Sequence, residues 1–278
     1  MTRSQRQRAD RGSALITAVA MTVVLATFAV LSIHLVLDTA FFQQGVREED
    51  RLDAAFQTAF ALALHEVASR SDPIQYGDAT RIETDAGAVS VRWFSPDGRV
   101  DLNAAPPTLL ALALQAAGAD APDRLASAIL DWRDADDLVS NHGAEAQAYL
   151  RAGLPPPANR PFASEDELAD ILGMPQQILP CLKTYVTVSS WREAPDPTLA
   201  PPRLRHLIAP GQPDATAPPV TLGTGDLIGL DMSLDEGPDR GAGVWALVRL
   251  TGDPQAPYRL QAWDRIAASD PICNGARS

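Results

Sequence analysis

Arg11-Gly12, followed by Ser13–Leu37 (SALITAVAMTVVLATFAVLSIHLVL), is the stretch on which the reading of the whole chain turns. Its 25 apolar-rich residues contain no Asp, Glu, Lys or Arg. About 20 such residues cross a hydrocarbon core of roughly 30 Å as a helix, and a helix satisfies its own backbone polar groups there. Upstream, Arg3, Arg6, Arg8 and Arg11 outweigh Asp10; downstream come Asp38 and the run Glu48-Glu49-Asp50. Basic flanks stay on the cytoplasmic side. The stretch therefore predicts a single span, with the N-terminus inside and the bulk of the chain outside. A cleaved secretory signal would have a shorter apolar core of about 7–15 residues, although Ala26–Ala29 supplies small residues for a cut. An unprocessed signal anchor is the simpler alternative.

Beyond the span the helical text continues. Leu52, Phe56, Ala59, Phe60, Ala63, Leu64 and Val67 recur at i, i+3, i+4, an apolar stripe at helical period. Arg51, Asp53, Gln57 and Glu66 fill the opposite face, and Pro73 stops the pattern. Ala88–Phe94 (AVSVRWF) alternates as a strand. Pro96-Asp97-Gly98 is a turn, and Val100–Leu102 is expected to return as the next strand. Residues 103–188 read as helical: one helix from Pro106-Pro107 to Gly118, others at Asp123–Trp132 and Ala144–Arg151. Ser164 and Glu167 then form a capping box ahead of Gln176–Lys183. Arg192–Pro219 packs eight prolines into 28 residues and reads as a linker or extended loop. Asp226–Leu234, Val244–Leu250 and Tyr258–Ile266 alternate again as strands. The fold class this predicts is α+β.

The motifs then carry a resemblance. ILDWRDADD (Ile129–Asp137), GAEAQAYL (Gly143–Leu150), PANRPFASEDELADILGM (Pro157–Met174) and LKTYVTV (Leu182–Val188), introduced by VDLNAAP (Val100–Pro106), resemble in order the helical domain of the type II secretion minor pseudopilin K family. The basic leader, Gly12 and the apolar helix resemble a prepilin leader. The resemblance implies a pilin-like fold: a long N-terminal helix on a small antiparallel sheet, with an inserted all-helical, SAM-like domain. The expected segments are a leader at 1–12, a membrane half of the helix at 13–37, an amphipathic helix and first strands at 38–102, the helical domain at 103–188, a Pro-rich linker at 189–222 and closing strands at 223–278. It also implies cleavage by prepilin peptidase between Gly12 and Ser13, methylation of the new N-terminus, residence in the inner membrane and a periplasmic body. The implied role is at the tip of the secretion pseudopilus, beside other minor pseudopilins of the I and J types. Pseudopilins generally carry Glu at the fifth mature position; here that position is Thr17, as in K-type members, and an unpaired carboxylate in hydrocarbon would be costly. One departure stands out: the longer second helical stretch that follows the YVT strand in the family shrinks here to Pro197–Leu204.

Chemistry gathers at one place, the acidic knot Asp131, Asp134, Asp136, Asp137 and Glu145. Calcium takes six to eight oxygens from clustered carboxylates and carbonyls. Counted from Asp134, Asp136 and Glu145 fall at EF-hand positions 3 and 12, but Leu138 and Val139 occupy positions 5 and 6, so an EF-hand loop fails. The family resemblance implies a calcium site of irregular form. An exposed acidic helix end is the plainer reading. The formal charge is −12, and Asp97–Val188 holds 13 acidic against 6 basic residues. That balance argues against nucleic acid, even though Gly173-Met174-Pro175 between short helices resembles a helix-hairpin-helix. His34, His65, His142 and His206 show no zinc spacing, and no Ser/His/Asp or Cys/His grouping is legible, so no catalysis is expected. An inner-membrane-anchored periplasmic metal-binding protein or hydrolase is the alternative. Cys181 and Cys273 would be permitted to pair in an oxidising compartment.

Overall fold

The structure is a computed structural model, and it describes residues 21, 49–67, 73–77, 79–211, 219–235 and 242–266. The chain divides into two units, Met1–Ala54 and Ala55–Ser278. In the first, Met21 and residues 49–54 are helical. The predicted cleavage residues Gly12 and Ser13, and all of the predicted span except Met21, lie outside the described residues. Among those described, no helix is long and apolar enough to cross a membrane.

Residues 49–67 form helix α1, and its second-unit portion buries Ala55, Phe56, Ala59, Phe60, Ala63 and Leu64. This is the stripe that the i, i+3, i+4 spacing predicts. Its partner is a five-stranded antiparallel sheet in the order β1-β2-β5-β6-β7. The strands are β1 (Ala79–Thr84), β2 (Gly87–Phe94), β5 (Leu227–Leu234), β6 (Gly243–Leu250) and β7 (Tyr258–Ile266). Phe60 packs edge-on against Tyr258 and Trp263, with centroids 5.6 and 5.2 Å apart. Residues five apart in a regular strand face opposite ways. Here the ladder pairs Leu247 with Ala262 and Val248 with Leu260, and the extra residue restores both rings to one face.

Between β2 and β5 the chain leaves the sheet and builds a helical body. It contains α2 (Pro107–Ala117), α3 (Pro122–Arg133), α4 (Ala146–Arg151) and α5 (Leu179–Tyr185), with short 3-10 turns at Glu165–Asp170 and Gln176–Ile178. Pro at N1 or N2 starts α2 and α3, where the missing N–H is no loss. Gly118 closes α2 with φ 89°, a left-handed cap that glycine adopts without a Cβ penalty. Trp132 sits 6.0 Å from Tyr149 and 6.2 Å from Phe162, centroid to centroid, inside the core. Tyr149 Oη accepts the Leu172 N–H at 3.0 Å. Asn103 exchanges two hydrogen bonds with the Phe162 backbone, at 3.0 and 2.7 Å.

Local expectations are corrected at four places. The strand after the Pro96-Asp97-Gly98 turn does not return to β2. It is β3 (Val100–Asp101), paired in parallel with β4 (Val186–Thr187), because Asp101 opens the helical body and Thr187 closes it. The hairpin partner of β2 is instead β1, whose exposed and polar text ATRIET shows little strand signal. Finally, the Pro-rich stretch is not all linker: α6 (Pro202–Ile208) forms within it, and Ala200 and Leu204 join the helical core. The Ser164 capping box is also only half realised. Ser164 Oγ accepts from Asp166 N at 3.1 Å, while Glu167 turns to Ala163 N at 2.8 Å. The helix that follows is a 3-10 turn.

Candidate functional site

The acidic knot lies where α3 ends and the loop to α4 begins. Helical phase points Asp131 inward with Trp132, and Asp131 has no solvent exposure. Its two carboxylate oxygens accept the Ser140 N–H at 3.1 and 3.2 Å. That contact folds the loop 134–145 back over the helix end. Gly143 closes the fold: a Cβ there would run into the Asp131 carboxylate. Asp136 accepts the Leu138 N–H at 2.9 Å in an Asx turn. The Asp137 carboxylate accepts from Asn159 Nδ2 at 3.3 Å.

Glu145 closes the loop just before α4 and is 5% exposed. Both of its carboxylate oxygens are buried and make no hydrogen bond of good geometry, the Ala146 backbone N–H being the donor at hand, and Asp134 Oδ1 is likewise unsatisfied. A buried carboxylate without partners is costly. The result is a raised pKa. Burial, then the charges of Asp131, Asp134 and Asp137, push Glu145 up to about 7, offset in part by the Ala146 backbone. Asp134 is raised too, first by burial and then by Asp136 and Asp131, with Arg133 opposing. The structure thus brings all five predicted residues into one electrostatic neighbourhood, with Asp131 and Glu145 inside, Asp134 half-buried and Asp136 and Asp137 at the exposed rim.

The residues suit a hard cation in type, because the buried oxygens are unsatisfied and all the ligands offered are carboxylates. Among the described residues, no group of three or more His, Cys, Asp or Glu is arranged to hold a metal ion as it stands. An ion would therefore have to draw the loop inward.

Two polar residues that the sequence reading passed over are as buried as the knot. Asp101 is 1% exposed, and Arg99 lies with its guanidinium 3.5 Å from the centroid of the Phe94 ring. Arg99 donates to the Lys183 carbonyl at 3.4 Å and faces Asp231 at 3.5 Å. VDLNAAP quotes Asp101 between Val100 and Leu102, and an acid inside a two-sided apolar run is the one signal that could have marked it. Cys181 is buried on α5. Cys273, the other cysteine of the chain, lies outside the described residues.

Residues 91–190 match the family model described as type II secretion system (T2SS), protein K. This span runs from within β2 past β4, so it covers the helical body. The resemblance drawn from the motifs is borne out there. The fold is similar to a chain in the crystal structure of the GspK-GspI-GspJ complex from the type 2 secretion system of enterotoxigenic Escherichia coli. The TM-score is 0.51 at 16% identity, over 79% of this chain and 98% of that one. No curated protein sequence matches significantly.

Proposed function

We propose that this chain, whose residues 91–190 carry a type II secretion system protein K domain, is a minor pseudopilin. It would be held in the inner membrane by residues 13–37 and project the helical body into the periplasm. The observation that carries the reading is the coincidence of the family match with the helical body inserted between β2 and β5. An amphipathic helix packed on an antiparallel sheet, here α1 on β7, agrees with a pilin-like frame. Prepilin peptidase cuts between Gly12 and Ser13, and the new N-terminus is methylated. Thr17 in place of Glu suits the tip of the pseudopilus, where no subunit above presents an amine for pairing. The neighbours there are pseudopilins of the I and J types. The work is assembly and export across the outer membrane, with no turnover.

Calcium at the acidic knot belongs to the same reading. When bound, the ion supplies positive charge that neutralises converging carboxylates. Glu145 and Asp134 offer the unsatisfied oxygens, Asp131 anchors the loop through Ser140, and Asp136 and Asp137 close the rim. The ion then serves structure, fixing the loop between α3 and α4.

The test is the intact mass of the N-terminus from cells with and without prepilin peptidase. A methylated chain starting at Ser13 only when the peptidase is present is the expected result. A chain still starting at Met1 in both would overturn the pseudopilin reading.

A further inference from the structure

We propose that Asp101 is a latch that holds the inserted helical body at a fixed orientation on the five-stranded sheet. The insert leaves and rejoins the sheet domain through β3 and β4, and this ladder has only two pairs, Val100 with Val186 and Asp101 with Thr187. Leu102 N donates to the Thr187 carbonyl at 2.8 Å and extends it by one bond. So short a ladder leaves the body free to swing unless something else ties its two ends.

The Asp101 carboxylate does this. Oδ1 accepts the N–H groups of Asn103 at 2.8 Å and Ala104 at 3.0 Å, shaping the turn that starts the insert. Oδ2 accepts Ser190 Oγ at 3.0 Å and Trp191 N–H at 2.7 Å, on the chain that has just left it. One buried carboxylate therefore receives four donors from two segments almost 90 residues apart. Charge-assisted bonds of this length are the strong ones. The backbone also records the pull: Trp191 has φ 53°, a left-handed conformation rare for a large side chain. Such an outlier persists only where its surroundings over-determine it.

The sheet holds the latch from the other side. Arg99, two residues before Asp101, reaches the Lys183 carbonyl on α5 and Asp231 on β5. Beyond Trp191, Asp196 N donates to the Asp97 carbonyl at 2.7 Å. Gly98 admits the backbone of Leu199 and Ala200 so closely that a Cβ would collide with it. Both ends of the insert are thus bonded to the sheet-side turn as well as to each other.

Asp101→Asn separates the two halves of the latch. Its remaining carbonyl oxygen can still accept from Asn103 and Ala104, while its NH2 group meets the Trp191 N–H donor to donor. The experiment uses the full chain in detergent micelles, with spin labels on unnatural residues at the exposed positions Gln115 in α2 and Gln261 in β7, read by pulsed dipolar spectroscopy. The parent is expected to give one narrow distance distribution. Asp101→Asn should at least double its width, while the core amides of α2 and β6 stay protected from hydrogen exchange, showing that both bodies remain folded. Trp191→Ala, which keeps the amide, should stay narrow. A parent distribution already broad, an Asp101→Asn distribution as narrow as the parent's, or broadening in Trp191→Ala would each overturn the latch. Should Asp101→Asn not fold, Ser190→Ala removes one donor to the same oxygen; unchanged width there would overturn it equally.

Discussion

Asp101 and Glu145 are buried to nearly the same degree, at 1% and 5% exposure, within one helical body. Asp101 receives four donors between 2.7 and 3.0 Å; Glu145 receives none that its geometry satisfies. Glu145 instead faces the charges of Asp131, Asp134 and Asp137. The difference shows that burial alone does not say what a carboxylate does. A carboxylate saturated by N–H and O–H groups is already neutralised by fixed dipoles, and it serves the fold. One surrounded by other carboxylates has to take up a proton or a cation, so its state depends on the solution.

The sharpest way to break this contrast is to remove the saturated member. Asp101→Ala leaves the Asn103 and Ala104 N–H groups on one side of the joint, and the Trp191 N–H and Ser190 hydroxyl on the other, in search of acceptors, and it should lower stability by about 3 kcal/mol, read from the urea midpoint at constant slope. A loss as small as that of a surface substitution would mean that Asp101 is not the structural carboxylate of the pair.

Calcium tests the other member. The ion should raise the melting temperature of the protein, by about 2.7 kcal/mol of stability at a hundredfold excess over Kd. Asp134→Ala with Asp136→Ala should abolish the rise, while Asp101→Asn, though less stable throughout, should keep it. No calcium-dependent shift in the parent would leave the knot as a plain acidic helix end.

Protons should trace the same starvation without any metal. The folded protein holds the Glu145 proton up to about pH 7, whereas the unfolded chain releases it near 4.5. Between those values the folded state binds more protons, so calcium-free stability falls as pH rises, by on the order of 2 kcal/mol. Glu145→Gln should flatten that slope and leave the calcium-free protein more stable than the parent at pH 8. Equal slopes in the two proteins would show that Glu145 ionises at an ordinary pH.

The smallest effect is expected from Gly143→Ala, which removes no ligand but sets a methyl against the Asp131 carboxylate. Overpacking of this kind costs about 1 kcal/mol or a little more. It should weaken the calcium response through displacement of the loop alone, visible as a higher calcium concentration at half-effect. A full response with unchanged affinity would place the ion away from Asp131.

Much of the fold and all five residues of the knot were legible before any coordinates. The stripe Phe56–Leu64, the helices either side of Asp120, the Gly118 cap and the three closing strands rest on periods of 3.6 or 2 and on turn chemistry, and these are written locally. The acidic residues are legible because carboxylates close in sequence at a helix end must stay close in space. The same local rules could not rank them. Asp131, Asp134, Asp136 and Asp137 look alike in text, and only the folded loop decides that Ser140 serves Asp131 while Glu145 is left unsatisfied.

What the sequence determined by itself, then, is the type of each strongly periodic element, the place of the acidic cluster and the motifs by which the helical body resembles the protein K family, because each depends on residues within one or two turns of one another. Tertiary structure alone decided that β3 pairs with β4 rather than β2, that the exposed β1 completes the hairpin, that α6 closes the helical core and that Asp101 ties the ends of the insert. In each of these the partners are brought together by the path of intervening chain, and desolvation of a charge is set by everything packed around it, so no window of sequence contains the information.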